Sequence, residues 1–176
     1  MKNSKVNKIA TAAIIAAMYT ALTYAQNFLV PGSASAAIQF RVSEALNILA
    51  LFTPAAIPGL TVGCVLSNLY GLGSGLPLDM IFGSLATLGA TLCIYWLRNV
   101  KIKSYPLPAM LMPALWNGVI VGWEIEFFFE HPDGFQPLSF LAIGGSVALG
   151  ELGVMLVLGT ALYYIIVKRN LDKKLF

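Results

Sequence analysis

Charged residues are so sparse along this chain that their positions divide it. Residues 9–40, 45–78, 80–97 and 104–123 carry no charged side chain, and 134–167 carries only Glu151. A helix that crosses a membrane needs about 20 apolar residues. The 45–78 run is too long for one crossing and short for two. Its middle reads Thr53-Pro54-Ala55-Ala56-Ile57-Pro58-Gly59. Proline removes a helical N–H donor and disfavours helix in the residue before it. The run therefore predicts two short helices, 43–52 and 57–70, that meet inside the protein. Broken backbone at membrane depth is tolerated only where protein or a cavity covers it, which points to a binding site. The predicted spans are 9–30, 43–52, 57–70, 78–97, 107–128 and 137–167. They make an all-α, six-span bundle, one domain over residues 1–176.

Composition supports the membrane reading. The chain has 176 residues, of which 58% are hydrophobic and 11% charged, and its mean hydropathy is +0.78. Soluble domains carry about 25% charged residues, so this chain lacks the polar surface that water demands. An ordinary soluble enzyme, a disordered protein and a nucleic-acid binder are excluded, and the expected surroundings are membrane lipid. Cys64 and Cys93 sit in apolar stretches and imply neither a disulfide framework nor a metal site.

Basic residues then test the span count. Lys2, Lys5 and Lys8 precede the first span. Arg98, Lys101 and Lys103 lie between the fourth and fifth, and Lys168, Arg169, Lys173 and Lys174 follow the sixth. With six crossings all three clusters share one side, as the positive-inside rule asks. Both termini are then cytoplasmic, and only Arg41 of the 11 Lys and Arg residues is not. A cleavable leader ending at Ala34-Ser35-Ala36 competes with this reading, but the apolar stretch exceeds the roughly 7–15 residues of such leaders.

Of the 8 acidic residues, only Asp172 is cytoplasmic in this topology. An ionisable side chain inside a membrane is a functional candidate by default. Glu151 lies mid-span between Gly150 and Gly153, where small neighbours let a ligand or another helix approach; a ligand-facing carboxylate competes with an interhelical hydrogen bond. Asn117 and Glu124 are seven residues apart and share a helical face, as do Trp116 and Trp123, although tryptophans also populate interfacial belts. Glu126, Glu130 and His131 are expected to be solvated. Arg41 and Glu44 can pair across one helical turn, either to orient the loop or to meet a ligand. Gln39 and Asn47 flank them, and Asn68 and Asp79 complete the outer polar set, with helix capping as the alternative for Asp79. Ala12, Ala13, Ala16 and Ala17 form small-residue faces on span 1, suited to internal packing or to a partner membrane protein. No HExxH, Walker or GxSxG motif occurs. No catalytic residue, metal or cofactor is expected, and active transport would draw on a partner or an ion gradient.

Three stretches carry a family resemblance. Ile38-Gln39-Phe40-Arg41-Val42-Ser43-Glu44-Ala45-Leu46, Phe52-Thr53-Pro54-Ala55-Ala56-Ile57-Pro58-Gly59-Leu60 and Asp79-Met80-Ile81-Phe82-Gly83-Ser84-Leu85-Ala86-Thr87-Leu88 resemble the QueT family. Its members are substrate-binding S-components of energy-coupling-factor (ECF) transporters, which belong to the ABC class. The resemblance covers essentially the whole chain. It implies a multi-pass protein of a prokaryotic plasma membrane, not an enzyme. It also implies a pocket open to the outside, and docking through span 1 onto a coupling membrane protein that carries two cytoplasmic ATPases. Transport would proceed by toppling of the S-component. The implied ligand is a queuosine precursor, 7-aminomethyl-7-deazaguanine or queuine. Docking maps onto Ala13 and Ala17, or onto Ala12 and Ala16 in the other register.

The residues suit that ligand. A deazaguanine offers N1–H and an exocyclic amine on one edge, which a carboxylate accepts together, and its aminomethyl arm is cationic. Glu124 and Glu151 are assigned to that edge and arm in either order. Asn117, Asn68 or Gln39 would serve the carbonyl, with Trp116 stacked on the ring and Arg41, Glu44 and Asp79 as further contacts. The competing readings are an S-component for another purine, biotin or riboflavin, an intramembrane enzyme using Glu124 and Glu151, and a purely structural membrane subunit.

Overall fold

The computed structural model describes residues 4–31, 40–69 and 78–171; Gln39 and the 34–36 triplet lie outside them. Six helices follow in chain order among these residues. Helix α1 is Ser4–Leu29. Helix α2, Val42–Leu51, is wound as a 3₁₀ helix, and α3 is Ala56–Asn68. Helix α4 is Leu78–Trp96, with a closing turn Leu97–Asn99. Helix α5 begins with Leu107–Met110, resumes as Met112–Ile125 after a break next to Pro113, and ends in a π turn Glu126–Glu130. Helix α6 is Pro137–Val154, a π segment Met155–Gly159, and Thr160–Lys168. Proline stands at its first helical position, where no intrahelical N–H is lost.

The expected elements are all present, and the break between α2 and α3 falls at Phe52–Ala55 beside Pro54. Among the described residues three stretches are long and apolar enough to cross a membrane: Lys5–Leu29, Leu78–Asn99 and Pro137–Lys168. Helices α2 and α3 are apolar but shorter. Large hydrophobic side chains cover the exterior, among them Phe28, Ile9, Trp96, Leu138 and Val157. A soluble monomer does not expose apolar surface on this scale.

Helix α2 is the centre of the molecule. Every side chain from Ser43 to Ala50 is buried, and the helix touches α1, α3, α4 and α6. A helix that is buried all round needs no polar face. Its 3₁₀ winding has a chemical consequence, because side chains three residues apart eclipse one another. Glu44 and Asn47 therefore stand in one row, and the Asn47 amide donates to Glu44 Oε2 at 2.5 Å.

Glycines set the closest helix approaches. A Cβ on Gly59 would lie 2.7 Å from the Ala12 carbonyl oxygen, and one on Gly63 would lie 3.0 Å from that of Ala16. This contact draws α1 and α3 together. Ala16 is buried and Ala12 half-buried in this contact, whereas Ala13 and Ala17 face outward.

Candidate ligand site

Five ionisable side chains gather where the start of α2 meets α4, α5 and α6. Arg41 lies at the entry to α2 in extended backbone (φ −103, ψ 102) and is 6% exposed. Its guanidinium is within electrostatic range of Glu44, Asp79, Glu124 and Glu151. Gly83 on α4 clears the space for it. A Cβ there would stand 3.2 Å from Asn68 Nδ2 and 3.6 Å from Arg41 Nη1. Asn68 in turn donates 2.8 Å to the Asp79 backbone carbonyl, which ties the end of α3 to the start of α4.

The carboxylates differ in how they are satisfied. Glu44 is fully buried and accepts from the Tyr19 hydroxyl and from Asn47. Glu124 is also fully buried; neither of its oxygens has an N–H or hydroxyl partner among the described residues, and the Asp79 carboxyl lies close enough to share a proton with it. Asp79 is its ionisable neighbour. Glu151 is 1% exposed and leaves Oε2 without a partner. A buried polar group left unpaired costs about 1–3 kcal/mol, and more when charged. The unpaired oxygens of Glu124 and Glu151 beside one arginine could accept hydrogen bonds from a donor-rich group. The Phe40 ring closes the α6 side, within 3.8 Å of where a Cβ on Gly153 would lie. One turn beyond Glu151, α6 passes into its π segment, a device that recurs at functional sites.

The structure thus brings together Arg41, Glu44, Asn68, Asp79, Glu124 and Glu151. It seats two other expected residues elsewhere. Trp116 is packed flat on α4, where a Cβ on Gly89 would come within 2.6 Å of its ring, and its indole N–H points 3.3 Å to Cys93 Sγ. Its ring serves the α4–α5 contact. Asn117 is buried, and its amide donates to the Pro113 carbonyl one turn back on its own helix, at 3.0 Å. Trp123 joins Phe82, Phe127 and Phe128 in an aromatic cluster, stacked on Phe127 at 5.1 Å.

Glu126 is a correction. It was expected in water and is instead fully buried. Its Oε1 accepts the Gln136 backbone N–H at 2.9 Å and lies 2.9 Å from His131 Nδ1. The carboxylate ties down the loop between α5 and α6, and His131 is partly covered as a result. Tyr19, Thr23 and Gln26 were missed altogether. The legible signal was a polar atom facing inward every three or four residues on an otherwise apolar helix. Among the described residues no group of His, Cys, Asp and Glu side chains is arranged to hold a metal ion.

This arrangement can now be set beside known proteins. The family model described as "QueT transporter" matches residues 9–168. The chain belongs to the QueT transporter family. It is 32% identical over 168 residues to the "Queuosine precursor transporter QueT" of Lactococcus lactis subsp. cremoris (strain MG1363), covering 89% of this chain and 90% of that protein. No solved structure matches it. Family membership and the apolar helices make this a multi-pass transporter of the cell membrane.

Proposed function

We propose that this protein is the substrate-capturing S-component of an ECF-type ABC transporter for queuosine precursors. The observation that carries the substrate class is the pair of buried carboxylates beside Arg41, Glu124 with no N–H or hydroxyl partner and Glu151 with Oε2 unpaired. A 7-deazaguanine supplies adjacent N–H donors to one carboxylate. Its aminomethyl arm, present in 7-aminomethyl-7-deazaguanine and as a secondary amine in queuine, supplies a cation to the other. Arg41 would donate to the ring carbonyl, whereas the Asn68 amide is already engaged with the Asp79 carbonyl and Cys64 Sγ. The name of the Lactococcus relative agrees with this substrate.

The topology that goes with this reading has six crossings and both termini in the cytoplasm. Lys5, Lys8, Arg98, Lys101, Lys103, Lys168 and Arg169 then lie inside, in accord with the positive-inside rule, and the carboxylate site opens outward. Coupling to a membrane partner with two ATPases would use the exposed face of α1. The close contact of Ala12 and Ala16 with α3 and the exposure of Ala13 and Ala17 support the Ala13–Ala17 register for that contact. A groove of about 540 Å³ runs beside it, lined by Ala12, Ala13 and Ala16 of α1 and by Pro54, Pro58 and Val62. Loading outside, docking through α1 and toppling would deliver the ligand inward without altering it.

A thermal-shift panel on the purified chain tests the substrate. A ligand that binds only the native state raises its melting point. 7-Aminomethyl-7-deazaguanine and queuine are expected to do so, whereas biotin and riboflavin are not. A shift from another nutrient, with none from any deazaguanine, would refute the assignment. Conversion of the ligand would point instead to an intramembrane enzyme.

A further inference from the structure

The stretch Phe40–Glu44 brings Arg41 and Glu44 to the ligand site, and α1 holds it at three successive points. Gln26 brackets Arg41. Its amide nitrogen donates to the Phe40 carbonyl, and its Oε1 accepts the Val42 N–H at 2.7 Å, so the groups on either side of Arg41 are both bound to one side chain. Thr23 donates to Ser43 Oγ at 2.8 Å. Tyr19 donates to the Glu44 carboxylate. Spacings of four and three place these residues in one row along α1. The face of α1 that carries Ala13 and Ala17 is turned away from this row.

We propose that Gln26, Thr23 and Tyr19 are positioning residues for ligand capture: they register Arg41 and Glu44 against the opposite wall formed by Glu124 and Glu151. None of them touches the ligand. They act through residues that do, and in doing so make α1 the link between the loaded site and the docking face. The proposal rests on the ligand site given under the proposed function.

A double-mutant cycle separates positioning from general support, because residues acting through one another are non-additive and distant ones add. Binding of 7-aminomethyl-7-deazaguanine to the purified full chain is measured by calorimetry. Gln26→Leu is expected to weaken it by about tenfold or more in the wild-type background. In Arg41→Gln it should have little further effect, since its effect passes through Arg41. In Glu124→Gln the full factor should return. Equal losses in all three backgrounds would show a merely structural role and overturn the proposal, as would unchanged affinity of Gln26→Leu itself. Tyr19→Phe, which removes one hydroxyl, repeats the cycle against Glu44→Gln if Gln26→Leu fails to fold.

Hydrogen exchange gives a readout that needs no ligand. The Val42 amide should be protected in the empty protein and exposed by Gln26→Leu, with α3 and α4 unaffected. Unchanged protection overturns the latch. A wild-type chain that binds no deazaguanine but shows this exchange pattern would instead refute the substrate assignment and keep the latch.

Discussion

Glu124→Gln has opposite effects on the empty and the loaded protein. In the empty protein neither Glu124 oxygen meets an N–H or hydroxyl donor, and the Asp79 carboxyl lies within its reach. Replacing the carboxylate by a neutral amide of similar shape removes the excess cost of burying a charge over burying a neutral polar group, at least about 1 kcal/mol. For a chain of this length each kcal/mol moves the melting temperature by roughly 2–4 °C, so the empty variant should melt several degrees higher. In the loaded protein the same change deletes charge-assisted bonds to the ligand, each contributing about 1.5–3 kcal/mol. With about 1.4 kcal/mol per tenfold, affinity for 7-aminomethyl-7-deazaguanine should fall by about 10- to 100-fold. Melting curves with and without ligand, and calorimetry on the same samples, read both signs. An empty variant that melts no higher, together with unchanged affinity, would refute the view that Glu124 is held unpaired for the ligand.

Other substitutions test the remaining geometry. Gly89→Ala drives a methyl group into the Trp116 ring; overpacking of this kind costs about 1–3 kcal/mol. It should lower the melting temperature with ligand affinity unchanged, and a loss of affinity matching Glu124→Gln would return Trp116 to the site. Leucine at both Ala13 and Ala17 should abolish uptake in cells while leaving binding intact, whereas Ala16→Leu should lower stability by about 1–3 kcal/mol through its contact with Gly63. Glu126→Gln loses the charge behind its hydrogen bonds, and charge-assisted bonds are roughly twice as strong as neutral ones. Exchange of the Gln136 amide should therefore quicken several-fold, as read by mass spectrometry.

The chain's own pattern determined the helical architecture. Hydrocarbon surroundings require every backbone group to be satisfied within its segment, so charge-free runs and prolines 54 and 58 place the helices and the break with few alternatives. The same constraint made Arg41, Glu124 and Glu151 legible as candidate site residues, since a charge inside an apolar bundle is costly and functional by default. Tertiary structure decided what depends on which face meets which neighbour. The 3₁₀ winding of α2, which lines up Glu44 with Asn47, follows from packing against four helices. Trp116 packs against α4 because Gly89 leaves room for its ring. Glu126 is buried because a loop ten residues away folds back onto it. The row Tyr19, Thr23 and Gln26 looked like ordinary polar residues of a span until Phe40–Glu44 lay beside it. Side-chain type and spacing describe what a helix can present, and only the neighbour across the contact determines how it is used.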